Sequence, residues 1–158
     1  MCAIFLKENF MSIETRETLT VANLALYGVQ VHEINQTLLT IDGRATPLLN
    51  GTVLGKILAT GKWAPWSNVA TNGVATSIGI YDGEDIPAAT IDAADVVGLN
   101  IIVSGEELLF NEDLLVCEGS LTLDSIIGTG VTTTTLRELF KNRGINFAKT
   151  NTLYTGAY

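Results

Sequence analysis

Several stretches of the chain alternate apolar and polar residues, or run apolar between turn signals, as β-strands do. Val29–His32 (VQVH) alternates, and Thr37–Ile41 (TLLTI) follows as a second stretch rich in β-forming residues. Thr52–Leu58 and Val74–Tyr81 are the next two predicted strands. Turn dipeptides separate these stretches, and the strongest of them is Asn50-Gly51.

Further strands are predicted in the second half of the chain. Ile86–Ile91 is one, and Val96–Val103 is an almost continuous apolar run that Gly105 ends. A short closing strand is predicted at Ile145–Phe147. The stretch Glu106–Cys117 fits neither the helical nor the strand period, so it stays open between a helix and a bent strand.

The best helical pattern lies at Thr133–Arg143. Its apolar residues Leu136, Leu139 and Phe140 recur at helical spacing after a threonine cap, and Gly144 stands at the C′ position. Short strands with turns between them and helices late in the chain predict a mainly β α+β fold. We expect a compact small-strand β-barrel of tulip-like form, with one or two short helices late in the chain and an extended N-terminal arm.

Three segments are expected along the chain: an arm at 1–21, a β-rich domain at 22–148 and a tail at 149–158. The arm mixes charged and apolar residues without a clear period. It can bury little surface by itself, so we expect it to be disordered alone or ordered by a partner.

The composition limits the classes of partner. Charged residues make up 16% of the chain, which is below the ~25% that is usual for soluble proteins. This indicates a surface partly covered in an assembly, although a plain compact β-rich domain is the alternative. The net charge of −8 argues against nucleic acid and anionic membrane surfaces, because both require clustered basic residues.

Neither membrane insertion, secretion nor a cofactor is expected. No run approaches the ~18 apolar residues of a membrane span, and Met1–Leu6 lacks the basic flank of a signal peptide. Cys2 and Cys117 lie far apart and form no metal-binding pair, so Cys117 is expected to be a small buried residue. We therefore predict no metal site and no cofactor.

Candidate catalytic chemistry is weak throughout the sequence. Gly51–Lys56 (GTVLGK) is one residue short of the phosphate-loop spacing, and Ile57 occupies the position of the required hydroxyl. His32, the only histidine, is expected to face solvent or to be hydrogen-bonded on its strand. The acidic turn Asp82–Asp85 could hold a hard cation, but a solvated turn is favoured. We therefore predict that the protein is not an enzyme and has no catalytic residues.

The stretch Thr60–Gly73 is predicted to be a stiff loop that carries both tryptophans. Trp63 and Trp66 have two interpretations, with Pro65 between them. They are either core residues at the end of the sheet or anchors of a protein interface, where tryptophan is enriched. We name Trp63, Pro65 and Trp66 as candidate interface residues.

Several of these motifs, taken in order, resemble the lambda-type bacteriophage head decoration proteins. The central match runs through Thr46–Ile57 (TPLLNGTVLGKI), Thr60–Trp66 (TGKWAPW) and Ala70–Asp82 (ATNGVATSIGIYD). Later matches are the apolar strand ending in Gly105-Glu106 and the helix–glycine–strand segment Leu136–Phe147. The similar region spans Asp42–Phe147, about two thirds of the chain.

The resemblance implies a virion structural protein without catalytic residues. Such proteins form homotrimers that bind the major capsid protein on the outer surface of the expanded capsid, at three-fold and quasi-three-fold sites. Their N-terminal arm pairs with strands of the capsid protein. By this resemblance, the capsid-binding residues of the arm would be Phe10, Ile13, Arg16 and Leu19.

Two other functional classes stay open at this point. One is a different phage structural trimer, associated with the tail or a fibre, which could share the β-rich body. The other is a small hydrolase or carbohydrate-binding domain that would use the carboxylates and the indoles.

Overall fold

The structure, a computed structural model, describes residues 24–39, 46–128 and 133–149. They form a six-stranded sheet in the order β1-β3-β2-β4-β5-β6, in which β1 also pairs with β5. The strands are β1 (Ala25–Leu38), β2 (Val53–Lys56), β3 (Trp63–Pro65), β4 (Ile78–Tyr81), β5 (Val96–Asn111) and β6 (Ile145–Ala148). The helices are α1 (Ala88–Ala93) and α2 (Leu136–Lys141), with a 3₁₀ turn at Glu112–Leu114. The predicted mainly β α+β class is confirmed.

The sheet buries both of its faces at its centre. Successive residues of β2 belong to different apolar clusters: Val53 packs with Trp66 and Phe110, and Leu54 packs with Trp63. Because neighbouring side chains of a strand point to opposite faces, a strand buried on both faces needs a continuous apolar run. This explains why β2, β4 and the middle of β5 lack polar alternation.

The helix α2 begins and ends where the sequence indicates. Thr135 caps it, and the Glu138 side chain returns a bond to the Thr135 backbone to complete a capping box. Gly144 follows the helix in the left-handed region at φ 75°. The Gly144 carbonyl oxygen accepts a hydrogen bond from the Leu108 backbone N–H at 3.2 Å. The turn at Gly144 therefore places β6 next to β5.

The structure corrects several predicted boundaries in the first half of the chain. The two strands predicted at Val29–His32 and Thr37–Ile41 are one continuous strand, β1, within the described residues. The predicted strand Val74–Tyr81 is a strand only from Ile78. The loop predicted at Thr60–Gly73 contains the short strand β3, because Trp63 to Pro65 pair with Lys56 to Leu54.

Two corrections concern the second half. The strand predicted at Ile86–Ile91 is wrong: α1 begins after Pro87, whose φ of −59° suits a helix start, and two alanines follow it. Gly105 does not end the strand that begins at Val96, because β5 continues to Asn111. The structure is described as a sheet and not as the expected barrel; β1 and β3 share one residue pair among the described residues, Leu38 with Trp63.

Gly144→Ala is predicted to destabilise the protein more than Gly98→Ala. Both glycines have left-handed backbones, with φ of 75° and 82°, and each substitution incurs about 1–2 kcal/mol for that conformation. A Cβ at Gly144 would collide with the carbonyl oxygen of Gly105, whereas one at Gly98 meets nothing within 4 Å. Overpacking adds about 1–3 kcal/mol at Gly144. Urea denaturation of both variants checks this, and equal losses of unfolding free energy would contradict it.

Candidate protein-interaction surface

The long strand β1 presents four large apolar side chains to solvent. Tyr27, Val29, Val31 and Ile34 are 66%, 62%, 50% and 65% exposed. We call these four residues the β1 stripe. The exposure of one such residue on a surface is ordinary, but large apolar side chains concentrated on one strand mark a surface that a partner covers.

Polar side chains of β1 connect the strand to the body of the protein. His32 Nε2 lies 3.1 Å from Asp82 Oδ2, just beyond β4. Gln36 Oε1 accepts a hydrogen bond from Trp63 Nε1 of β3 at 3.1 Å. A third contact joins Glu33 to β2 through the Lys56 ammonium, at 2.6 Å. Three polar residues of β1 therefore contact the body of the protein, while the four apolar residues of the β1 stripe remain exposed and Leu38, at the end of the strand, is buried in the core.

One edge of β1 is largely open within the described residues. The strand pairs with β5 from Ala25 to Leu38, whereas its opposite edge pairs only where Leu38 meets Trp63. An unpaired strand edge exposes backbone N–H and C=O groups that can bind another strand. The register is uninterrupted from Val29 to Val31 and shifts on either side of this segment. Val29–Val31 is thus the most regular part of the open edge.

Two carboxylates of β5 lie beside the β1 stripe. Glu106 is directly opposite Val29, so the two exposed side chains share one face of the sheet. The next residue, Glu107, is also exposed and has a left-handed φ of 51°. Neither carboxylate has an ion-pair or hydrogen-bond partner among the residues that the structure describes. The stripe is therefore apolar with free negative charge at its border.

The candidate interface tryptophans are core residues. Trp63 is 1% exposed and Trp66 is 2% exposed, and they belong to the apolar clusters on opposite faces of the sheet. The Trp66 indole N–H donates to the Ala75 carbonyl oxygen at 3.2 Å. The interpretation of the indoles as exposed anchors is corrected, because neither side chain is accessible in this conformation. Pro65, between them, is half-buried, and its interface role stays a prediction.

The acidic turn is organised by hydrogen bonds within the chain. The Asn50 backbone N–H donates to Asp85 Oδ1 at 2.9 Å, and the Asn50 side-chain amide donates to the Gly83 carbonyl oxygen at 3.1 Å. Tyr81 donates its hydroxyl proton to the Glu84 carbonyl oxygen at 2.7 Å. Burial raises the pKa of Tyr81, and the nearby carboxylates raise it further. Among the described residues, no cluster of metal-ligand side chains is present.

Cys117 lies beside a shallow cavity of about 250 Å³, together with Pro47, Leu49, Thr52 and Val116. Burial raises the pKa of its thiol to about 11, because an apolar environment disfavours the thiolate. A nucleophilic cysteine requires a lowered pKa. Cys117 therefore has the properties of a packing residue.

The predicted arm residues Phe10, Ile13, Arg16 and Leu19 lie outside the described residues, as does the tail from residue 150. Within the described residues, no helix is long and apolar enough to cross a membrane.

Comparisons with protein-family models, with curated proteins and with solved structures each find no match. The likeness to decoration proteins therefore stays a hypothesis drawn from the motifs.

The exposed apolar face of β1 could not be recognised from the sequence alone. Alternation at Val29–His32 predicts the strand but does not say which side of it faces the core. The deciding signal lies in the polar partners: His32, Glu33 and Gln36 all have complementary groups on the body of the protein. Those groups are distant in sequence and come together only in the fold.

His32→Ala is predicted to loosen β1 without unfolding the body. Loss of the contact with Asp82 removes about 1 kcal/mol, so amide exchange along β1 should speed up about fivefold. Hydrogen-exchange mass spectrometry measures this. Gln30→Ala is the matched control, because the Gln30 side chain makes no hydrogen bond among the described residues. Equal exchange in the two variants would show that the His32 contact does not hold the strand.

Cys117 is predicted to alkylate slowly in the folded protein. A pKa of about 11, against ~8.5 for a free thiol, lowers the thiolate fraction at pH 8 by roughly two-hundredfold. Iodoacetamide labelling of a Cys2→Ser variant, followed by intact mass, measures the rate for Cys117 alone. Urea-unfolded protein is the control and should label at the rate of a free thiol. Rapid labelling of the folded protein would contradict the packing role.

Proposed function

We propose that this protein is a virion structural protein: a trimeric decoration protein that binds the major capsid protein on the outer surface of the expanded phage capsid. In this role it stabilises the shell against the pressure of the packaged DNA. The observation that carries the proposal is the β1 stripe, an exposed apolar surface on a strand that His32 and Glu33 bond to the body of the protein. Such a surface supports a function in protein association.

The position of the stripe also supports the proposal. The arm at 1–21, to which the resemblance gives the capsid-binding role, leads into Ala25 at the start of β1. Contacts made by the arm and by the stripe would therefore be continuous along one stretch of chain. Linked contacts strengthen each other, because the first raises the effective concentration of the second.

The arrangement of the remaining groups gives less support to a carbohydrate-binding role. Both indoles are buried, so neither offers a ring face to a sugar. Asp82 contacts His32, and Asp85 accepts a hydrogen bond from the Asn50 backbone.

No observation favours a location on the tail or a fibre over one on the head. Electron microscopy of labelled particles would distinguish the two locations.

Deletion of Met1–Glu17 is predicted to leave a folded trimer that binds emptied, expanded shells at least tenfold more weakly. The arm supplies backbone pairing to the capsid protein in this proposal, and the deleted residues precede the predicted β-rich domain at 22–148. Light scattering of the purified protein measures the trimer, and co-sedimentation with shells of the encoding phage measures binding.

Unexpanded shells are the matched control, because a decoration protein of the proposed kind binds the capsid only after the capsid has expanded. Full-length protein that leaves expanded shells bare would refute the proposed function. Equal binding by the truncated and full-length proteins would instead refute the role of the arm and leave the function standing.

A further inference from the structure

We propose that the open edge of β1 accepts an extended segment of a partner protein as an additional strand, and that this segment carries lysine or arginine on the face that adjoins the β1 stripe. The inference rests on the proposed function for the identity of the partner, the capsid protein. It adds a second binding element, distinct from the arm, and specifies the chemistry of the segment that binds there.

The backbone of β1 makes strand addition possible. Along 25–37, one edge of the strand pairs with β5 and the other has no strand partner among the described residues. An added strand gains main-chain hydrogen bonds with little demand on its sequence. The regular segment Val29–Val31 gives the incoming strand its register. The shifts on either side of that segment disfavour long, indiscriminate pairing, which is how natural edges avoid aggregation.

The β1 stripe provides specificity for apolar side chains. A strand added at the open edge would lie about 4.8 Å from β1, with alternate side chains beside Tyr27, Val29 and Val31. All three side chains are at least half exposed, and Val29 and Val31, which are two residues apart in the regular segment, lie on the same face. Covering them removes apolar surface from water, and this favours binding by about 25 cal/mol per Å².

The free carboxylates determine the charge of the partner. Glu106 shares the face of Val29, and Glu107 follows it. An incoming strand would lie roughly 10 Å from β5, which is two strand spacings. A lysine or arginine stem can cross that gap along Val29 and place its charge at Glu106, because such stems pack on apolar surface.

A second copy of this chain is a poorer occupant of the edge. The chain has a net charge of −8, so two copies repel each other. Four of the six described cations form ion pairs within the chain, with Lys56, Lys62, Arg137 and Lys149 bound to carboxylates. A fifth, Arg143, donates to main-chain carbonyl oxygens. The part of a second copy that the structure describes therefore offers little free positive charge, and the net charge favours a different, basic segment.

The test compares full-length variants in co-sedimentation with emptied, expanded shells. Val29→Thr/Val31→Thr keeps β-branched residues but makes the stripe polar, and we expect binding about tenfold weaker. Val69→Thr is the matched control: it makes the same change at a residue that is 56% exposed in the loop between β3 and β4, and we expect it to bind as wild type.

Glu106→Gln/Glu107→Gln tests the charge. We expect about threefold weaker binding at low salt and a shallower dependence of affinity on salt, because screening no longer acts on these charges. Hydrogen exchange on the bound wild type should show new protection at 27–34, since strand addition ties up the free backbone N–H groups. Thermal unfolding of each variant in the free state confirms that the fold is kept.

Three results would overturn the inference while the proposed function stands. They are stripe variants that bind as wild type, bound protein without new protection on β1, and stripe variants that lose the trimer but keep shell binding. The last result would assign the edge to a second copy. Shells left bare by wild-type protein would refute the proposed function and, with it, the capsid protein as the partner.

Discussion

The pairing of β1 with β5 is the constraint on which the rest of the structure depends. β5 is hydrogen-bonded to β1 along one edge and to β4 and β6 along the other. Buried backbone groups must find such partners, and β5 holds the core residues Ile101, Ile102 and Phe110. β1 covers the outer edge of this strand and satisfies its backbone. Among the described residues, the other edge of β1 pairs only at Leu38 with Trp63, so most of that edge is open.

β1 combines polar contacts to the body of the protein with four exposed apolar side chains. A strand that served only to close the sheet would be expected to have polar residues on its solvent face. Here the interior positions are occupied by side chains that bond to β2, β3 and the turn after β4. Each contact is worth about 1 kcal/mol. The stability of the body comes mainly from its two apolar clusters, so the outer face of β1 is free to carry a binding function.

Much of the fold could be predicted from the sequence, because local signals fix it. Thr135 and Glu138 mark the start of α2, and Gly144 marks the turn after it. Apolar runs locate β2, β4 and the first half of β5. The segment Ile86–Ile91 was predicted to be a strand, although α1 begins within it. Its apolar residues are too few to distinguish a helical period from a strand period. The sequence could not predict which face of β1 is exposed, because a strand has a period of two whichever face is buried.

The spacing of the two tryptophans explains why the exposed apolar surface lies on β1 and not on the tryptophan loop. Trp63 and Trp66 are three residues apart, and an odd spacing along an extended chain sends side chains to opposite faces. One indole therefore enters each apolar cluster, and the aromatic surface that distinguishes this loop in the sequence is consumed by the core. What remains exposed is aliphatic and lies on a strand edge. A binding surface of this kind depends on backbone pairing and apolar burial, and specificity must come from neighbouring charges. Glu106 and Glu107 are the charges in position to provide it.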